Sequence, residues 1–344
     1  MSTSAGIHAR FACRLRWRAI SVSVVVMAFL CSPIASRADS VSAQRSQDEI
    51  WLVSERHIGY LESGQTPPLE TRYYDSAVGW REGDLADLLA PSSLRQIVLV
   101  YVHGNRISSG EAASAGRCVY QLISSQIDDS VSIRYVIWSW PSSRIPGQLK
   151  DFRVKARRTE LGGYCLGWFL AQLPPEQRIS LLGYSFGARI VTGALHLRGG
   201  GELCGRVLPS PEPEALGARV VLVAAAVHRS WLGPGGYHEQ ALANTDHLLN
   251  IFNSQDAILK RYRFLYKCSR PEAFGYTGIP VGGLGAASRR IEQCDARHVA
   301  GHSHALFRYL GNSCLRKRIQ PVLCWEPFHG ELSSHASALS DSAG

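Results

Sequence analysis

"RISLLGYSFGARIVTGALHLR" (residues 178–198) joins two periodicities. Its first part, Ile179–Leu182, is an apolar strand pattern that ends at Gly183. Its last part, from Phe186, spaces its apolar residues as a helix does. Between them Gly183-Tyr184-Ser185-Phe186-Gly187 spells G-x-S-x-G. The pattern is short and recurs by chance, so its context carries the meaning. One alternative is a plain strand-to-helix turn made of small residues. The other is a nucleophile elbow, in which the serine projects from the strand end on a strained backbone. There the glycines remove side chains where strand and helix crowd together. The strand before Ser185 and the helix after it favour the elbow.

The neighbouring segments repeat the alternation. "RQIVLVYVHGN" (95–105) is an apolar run ending in a Gly turn and predicts a buried strand, and "GEAASAGRCVYQLISSQ" (110–126) predicts a helix. "VSIRYVIWSWPSS" (131–143) is the next strand, broken by Pro141. "LKDFRVKARRTELGGYCLGWFLAQL" (149–173) is a helix weakened by Gly162 and Gly163 and stopped by Pro174-Pro175. Further strands are expected in "EIWLVSER" (49–56), "TRYYDSAVGWR" (71–81), "ARVVLVAAAV" (218–227) and "HLLNIFNSQD" (247–256). A short helix is expected in "GYHEQALANTD" (236–246) and a last one in "HALFRYLGNS" (304–313). Residues 200–218, rich in Gly and Pro, read as a surface excursion. Apolar strands alternating with helices predict an α/β fold, a mostly parallel central sheet covered by helices on both faces. No stretch is long enough for a large cap domain.

The chain has 344 residues, 45 % hydrophobic and 19 % charged, enough to bury one sizeable core. A single domain from 48 to 330 is expected, followed by a disordered tail over 331–344. Residues 1–38 have the layout of a secretory signal peptide. An acid-free segment with Arg10, Arg14, Arg16 and Arg18 leads into the apolar "ISVSVVVMAFLC", then small residues suited to cleavage after Ala38. Export to the periplasm or medium is the expectation; an uncleaved N-terminal anchor, the only membrane contact foreseen, is the alternative. Cys31 lacks the small residue before it that a lipoprotein site needs. Removal of the leader, with Arg37, lowers the formal charge from +9 to +4, which does not call for nucleic acid. "KDFRVKARR" (150–158) and "RKR" (316–318) are read as solvated faces. Seven of the nine cysteines lie outside the leader, with no C-x-x-C spacing. In an oxidising compartment several should pair, and the odd count leaves one over.

A second functional piece lies upstream of the serine. His103-Gly104-Asn105 ends a buried strand, where such a turn feeds a backbone N–H into an oxyanion hole. The expected donors are the amides of Asn105 and Phe186, with His103 bracing the loop rather than acting as base.

"YVHGNR" (101–106), "WSWPSSR" (138–144), "GYSFGAR" (183–189) and "NSQDAIL" (253–259) occur in that order. In this the sequence resembles the α/β-hydrolase superfamily, and within it a bacterial group without an assigned substrate that shows V-H-G, S-W-P-S, G-x-S-x-G and N/S-x-D. The resemblance spans roughly residues 95 to 310. It departs at "AAAVHRSWL" (224–232), where an acidic residue is expected after the sixth strand, and the first 50 or so residues after the leader match no family pattern. In such folds the triad runs Ser, acid, His along the chain. Asp256 follows an apolar strand; a helix N-cap is its other reading, and the resemblance favours the triad role. Asp246 precedes that strand and is weaker. The base should stand before a last helix, where "ARHVAGHSHALFRYL" (296–310) offers His298, His302 and His304. His304 opens the helical pattern and is preferred to His302. A metal shared by the three histidines has no nearby acid pair to support it.

The resemblance implies a serine hydrolase without cofactor or metal. Its triad is Ser185, Asp256 and His304, with His302 as second choice, and its oxyanion donors are Phe186 and Asn105. The substrate is expected to be a small-molecule or lipid-like carboxylic ester; thioesters and amides use the same machinery. The alternative is a hydrolase fold that has lost catalysis and serves as a binding module. Trp138, Trp140 and Trp168 are candidates for an acyl site, though core packing is the commoner fate of such rings.

Overall fold

The structure is a computed structural model that describes residues 44–91, 96–125, 127–209, 217–265 and 270–326. The segments assigned to a signal peptide and to a tail lie outside the described residues. Nine strands make one sheet: β1 (Glu49–Ser54), β2 (Glu70–Asp75), β3 (Gly79–Glu82), β4 (Ile97–Val102), β5 (Ile133–Ser139), β6 (Arg178–Tyr184), β7 (Ala218–Val223), β8 (Thr245–Phe252) and β9 (Ile291–Asp295). Among the described residues eight α-helices accompany them: α1 (Leu85–Leu89), α2 (Ser109–Ser124), α3 (Gln148–Ala171), α4 (Phe186–Arg198), α5 (Phe274–Thr277), α6 (Arg297–Ala300), α7 (Leu306–Leu310) and α8 (Ser313–Leu323).

The strand order is β3-β2-β1-β5-β4-β6-β7-β8-β9. From β1 to β9 every pairing is parallel; only the β1-β2-β3 edge is antiparallel. β4, β5 and β7 are buried along their whole length, which explains their apolar-rich sequences; the charged exceptions, Arg134 in β5 and Arg219 in β7, are buried and paired with Glu49 and Asp246. Chain progress along the sheet reverses at β5. The connection β4-α2-β5 steps one way, and β5-α3-β6-α4-β7 steps the other. Right-handed crossovers then send α2 to one face and α3 and α4 to the opposite one. The packing agrees. α3 lies against α4, while α2 meets α7, α7 meets α8, and α8 covers β6, β7 and β8. This is the α/β-hydrolase type of fold, without a large cap domain among the described residues.

Where the structure departs from the sequence expectations, local chemistry explains it. Residues 71–81 form a hairpin rather than one strand, because the Asp75 side chain accepts the Ala77 amide (2.8 Å) and turns the chain into β3. The short helix of 236–246 is a single 3₁₀ turn, Glu239–Leu242. The helix expected from 304 begins at Leu306. Strand β9 and helix α8 carry no clear sequence signal. β9 is a polar edge strand, and α8 hides Leu315, Ile319, Val322 and Leu323 among basic residues and Pro321. Gly162 and Gly163 do not weaken α3. A Cβ on Gly163 would meet Leu203 and the backbone of Gly193, so they permit the α3–α4 contact. "KDFRVKARR" is not all solvated, since Asp151 and Lys155 are both fully buried. The expected disulfides are absent among the described residues. Cys118, Cys165, Cys204, Cys294, Cys314 and Cys324 are free: Cys165 and Cys324 pack as buried thiols, while Cys118, Cys204 and Cys314 are exposed on separate elements. Cys268 is outside the described residues.

Tight packing holds the β6–α4 junction. A Cβ on Gly187 would lie 2.1 Å from the Val102 carbonyl oxygen, and one on Gly183 would lie 2.8 Å from Ala188 Cα. Backbone cannot yield as a flexible side chain can. Gly187→Ala is therefore expected to cost about 1–3 kcal/mol or more, the usual scale of overpacking, as a lowered urea midpoint. An unchanged midpoint would contradict this packing.

Candidate active site

Ser185 sits at the end of β6, one residue before α4, with φ 53° and ψ −118°. This is a strained, left-handed backbone for a residue with a side chain, and its surroundings impose it. The Ser185 N–H donates to the Val223 carbonyl (3.1 Å), and its own carbonyl accepts the amides of Ala188 (3.1 Å) and Ala226 (3.0 Å). The peptide is pinned to β7 and α4, and Oγ is left pointing away from both ladders.

Asp256 and His304 come to it from the turn after β8 and from the loop before α7. His304 Nε2 is 2.9 Å from Ser185 Oγ, and His304 Nδ1 is 2.6 Å from Asp256 Oδ2. Asp256 is fully buried, and its other oxygen, Oδ1, accepts the amides of Ile258 (2.8 Å) and Leu259 (2.9 Å). Asp256 thus holds the histidine with one oxygen and the turn that follows it with the other; the N-cap of the next 3₁₀ segment, Leu259–Phe264, is Ile258 and not Asp256. An acceptor at Oδ2 sets the tautomer: Nδ1–H donates to Asp256, which leaves Nε2 to accept the serine O–H.

The structure does not bring His302 to the serine. Its ring is exposed and turned to the Gln255 carbonyl (3.1 Å). His298 is exposed and accepts from Arg297 (3.1 Å). Asp246 is on the surface, paired with Arg219. Trp138 and Trp140 are core residues whose indole N–H groups donate to Glu55 (3.1 Å) and to the His103 carbonyl (2.7 Å), and Trp168 is half-buried on α3.

Two residues unforeseen in the sequence hold the histidine loop. The Asn253 amide donates to the carbonyls of Gly301 (2.9 Å) and Ser303 (3.3 Å), while its Oδ1 accepts the Gln255 amide (3.0 Å). The Tyr184 hydroxyl donates to the His304 carbonyl (2.6 Å), and its ring packs on the imidazole at 5.4 Å. Tyr184 is the variable residue before the serine, a position the motif leaves blank.

The other side of the site is the loop after β4. A Cβ on Gly104 would meet the Tyr184 ring at 2.7 Å and Ser185 Cβ at 3.2 Å, so glycine alone lets this loop lie against the serine. Asn105 follows it. Phe186 is the first residue of α4, where N–H groups have no acceptor within the helix. His103 is buried, stacked on Trp140 at 5.8 Å. Its Nδ1 is 2.9 Å from the Gly104 carbonyl and its Nε2 is 3.3 Å from Arg56, so both nitrogens are engaged inside the loop. Burial, with help from the Arg56 charge, pushes its pKa down to about 3 and keeps it neutral.

The same loop is tied to α3 by a buried carboxylate. Asp151 Oδ2 accepts the Asn105 side-chain amide (3.1 Å) and Arg106 Nε (3.0 Å); Oδ1 accepts the Ile145 amide (3.1 Å) and Lys155 Nζ (3.1 Å). Lys155 also donates to the Ser143 carbonyl. Burial works to raise the Asp151 pKa, but the bonds from Arg106 and Lys155 outweigh it and hold it below the ordinary value. Their i,i+4 spacing was the one sequence signal for this pair. Nearby, Glu55 is buried at the end of β1 beside Trp138 and Cys165, and desolvation pushes its pKa up to about 8.

No family model matches the sequence, and no curated protein does. Among solved structures, an iodinated complex of acetyl xylan esterase aligns with 67 % of this chain and 100 % of that one, at 15 % identity and a TM-score of 0.35. A second acetylxylan esterase structure aligns with 67 % of this chain and 98 % of that one, at 14 % identity and a TM-score of 0.34. Inhibited esterase B from Lactobacillus rhamnosis aligns with 89 % and 91 %, at 13 % identity and a TM-score of 0.30. At these values the fold class rests on the sheet order and the site on its own geometry.

Two stability tests follow from the buried charges. Asp151→Ala should cost about 3–5 kcal/mol by urea unfolding, because it strands Lys155 in the interior; adding Lys155→Met should recover most of it. An additive double variant would contradict the pairing. For Glu55 the folded pKa lies above the ordinary 4.5, so its contribution is complete below pH 4.5 and is lost as pH rises through about 8. Glu55→Gln should remove that decline from the urea midpoint measured across the same window; an unaltered slope would assign it to another group.

Proposed function

We propose that this protein is a serine hydrolase, most readily of carboxylic esters. The observation that carries the proposal is the single line of hydrogen bonds from Ser185 Oγ through His304 to Asp256, built on a strained turn (2.9 and 2.6 Å). A serine hydroxyl is a weak nucleophile until a base takes its proton, and that base works best when a third group fixes its tautomer.

In the proposed cycle Oγ attacks the ester carbonyl carbon and its proton passes to His304 Nε2. Asp256 stabilises the imidazolium through Nδ1–H. The oxyanion is received by the amides of Phe186 and Asn105, preorganised donors whose individual loss in related chemistry costs about 10²–10³ in rate. His304 then returns the proton to the leaving alcohol, and water, activated by the same imidazole, releases the acid. Asp151 and Arg56 serve at one remove: they hold the loop that presents Asn105. Tyr184 and Asn253 hold the backbone on either side of the imidazole. Acetyl xylan esterase and esterase B, with which the chain was aligned, are esterases by name; the proposal stands on the geometry and not on them.

The test is labelling of the purified protein with a fluorophosphonate probe, followed by peptide mapping and hydrolysis of 4-nitrophenyl esters. Label is expected on Ser185. Ser185→Ala should lower kcat by about 10⁴–10⁶ while the protein stays folded. Asp256→Asn should lower it by about 10⁴, because the amide no longer imposes the tautomer. His304→Ala should abolish labelling and His302→Ala should retain it. Turnover that survives Ser185→Ala, or a folded wild type that neither labels nor hydrolyses, overturns the proposal; the second outcome favours a binding module.

A further inference from the structure

The C-terminal edge of the sheet carries a second feature that the triad does not use. Beyond β7 the chain passes Ala226, whose amide bonds the Ser185 carbonyl, and reaches His228, Arg229 and Ser230. Beyond Asp256 it makes the 3₁₀ segment Leu259–Phe264. It returns through Arg270 and Glu272 alongside the first segment, with the Arg229 amide on the Glu272 carbonyl (2.8 Å) and the Phe274 amide on the Val227 carbonyl (2.9 Å). Between these segments lies an open recess of about 500 Å³ lined by His228, Arg229, Ser230, Arg263, Arg270 and Glu272. Its walls are continuations of the two segments that hold Ser185 and Asp256. Its volume suits a small molecule or one end of a larger one.

The charge of the recess is lopsided. Glu272 pairs with Arg229 at 3.5 Å. Among the described residues no carboxylate is ion-paired with Arg263 or Arg270, and both are exposed to the cavity's solvent. Arg270 also holds a left-handed backbone, φ 41°, which a side-chain-bearing residue adopts only under constraint. Guanidinium groups converging on one space repel each other unless an anion joins them, and their planar forks match carboxylate and phosphate oxygens.

A continuous stack links this recess to the serine. Arg189, buried on α4, lies over the Phe186 ring (5.8 Å) and the Trp231 ring (4.5 Å), and Trp231 stacks on His228 (6.0 Å, 3° between planes). Phe186 in turn meets Phe152 edge-on at 6.2 Å, and the neighbouring Arg153 donates to the Leu265 carbonyl (3.2 Å) at the far end of the recess segment. Phe186, beside the serine, is thus connected to the recess through Arg189 and Trp231 on one side and through the α3 residues Phe152 and Arg153 on the other.

We propose that this recess is a subsite for an oxyanionic group, carboxylate or phosphate, carried by the ester that Ser185 attacks. The proposal rests on the serine-hydrolase reading and narrows its substrate class to anionic esters. An apolar or neutral substrate would leave Arg263 and Arg270 without a partner.

Two measurements on the full chain test it. The first is isothermal titration calorimetry with inorganic phosphate and with glutarate. One anion per chain is expected, and Arg263→Ala combined with Arg270→Ala should weaken binding at least about tenfold, the scale of one lost charge-assisted hydrogen bond. The tighter of the two anions identifies the group recognised. Arg72→Ala, on β2 between β1 and β3, should bind as the wild type does. The second is the ratio of kcat/KM for 4-nitrophenyl hemiglutarate to that for 4-nitrophenyl butyrate. It should exceed one in the wild type and fall at least about tenfold in the double variant, the same loss read in the transition state. Failure of both anions to bind, binding that survives the double substitution, or an unchanged ratio overturns the proposal. Hydrolysis of neither ester by a folded wild type overturns the hydrolase reading instead, and the calorimetry then decides the anion site by itself.

Discussion

Between β4, β6 and the start of α4 there is no room for a side chain, and the geometry of the site follows from that crowding. The carbonyl oxygen of Val102 occupies the space where a Cβ of residue 187 would stand, and Ala188 crowds residue 183 in the same way. The close approach forces the turn, and the turn puts Ser185 at φ 53° with its hydroxyl off the end of the strand. The same approach presses the 103–105 loop against Ser185 and Tyr184. The Ser185 turn and the 103–105 loop are neighbours because β4 and β6 are neighbours, the two strands whose following connections run to opposite sides of the sheet.

Loops at a sheet edge are the mobile part of an α/β protein, yet these are anchored by side chains from its rigid part. Arg56, just past β1, holds His103 and the Ile107 carbonyl. Asp151 and Lys155 on α3 hold Asn105, Arg106 and the Ile145 and Ser143 backbone. Asn253, just past β8, and Tyr184 at the end of β6 hold the backbone around His304. Each anchor is costly by itself, since a buried polar group must be paired. Each also fixes the loop it holds more tightly than an unanchored loop would be. Asp151, Lys155, Asn253 and Asp256 are buried polar groups around the proposed site, while others, such as Asp48, Arg134, Gln177 and Arg219, lie at the opposite end of the strands.

The element pattern was legible wherever burial is two-sided. β4 to β7 are rich in apolar residues because both faces are covered, with only a few polar residues such as Arg134, Ser180 and Arg219 among them, and Ser185 was legible because its two glycines answer a backbone clash that any sequence with this turn must avoid. β9 and α8 were not. An edge strand has one protected side and tolerates Glu292 and Gln293, and α8 needs apolar residues only on the stripe that meets β6–β8. Asp151 and Lys155 look like two more charges in a basic run until the fold buries them against each other.

The sequence was sufficient for a serine on a strand-to-helix turn, for the α/β class, and for the candidates Asp256 and His304 by their order along the chain. Those follow from local patterns, which survive in one dimension. The sequence already preferred His304 to His302, two residues apart on one loop, but the contacts that separate them belong to the tertiary structure. Asn253 and Tyr184 set that loop's height and rotation, which turn one ring to Ser185 and the other to the Gln255 carbonyl. The convergence of Arg229, Arg263 and Arg270 on one recess is of the same kind. Charges dispersed over more than forty residues of sequence act on one ligand only when folding closes the distance between them.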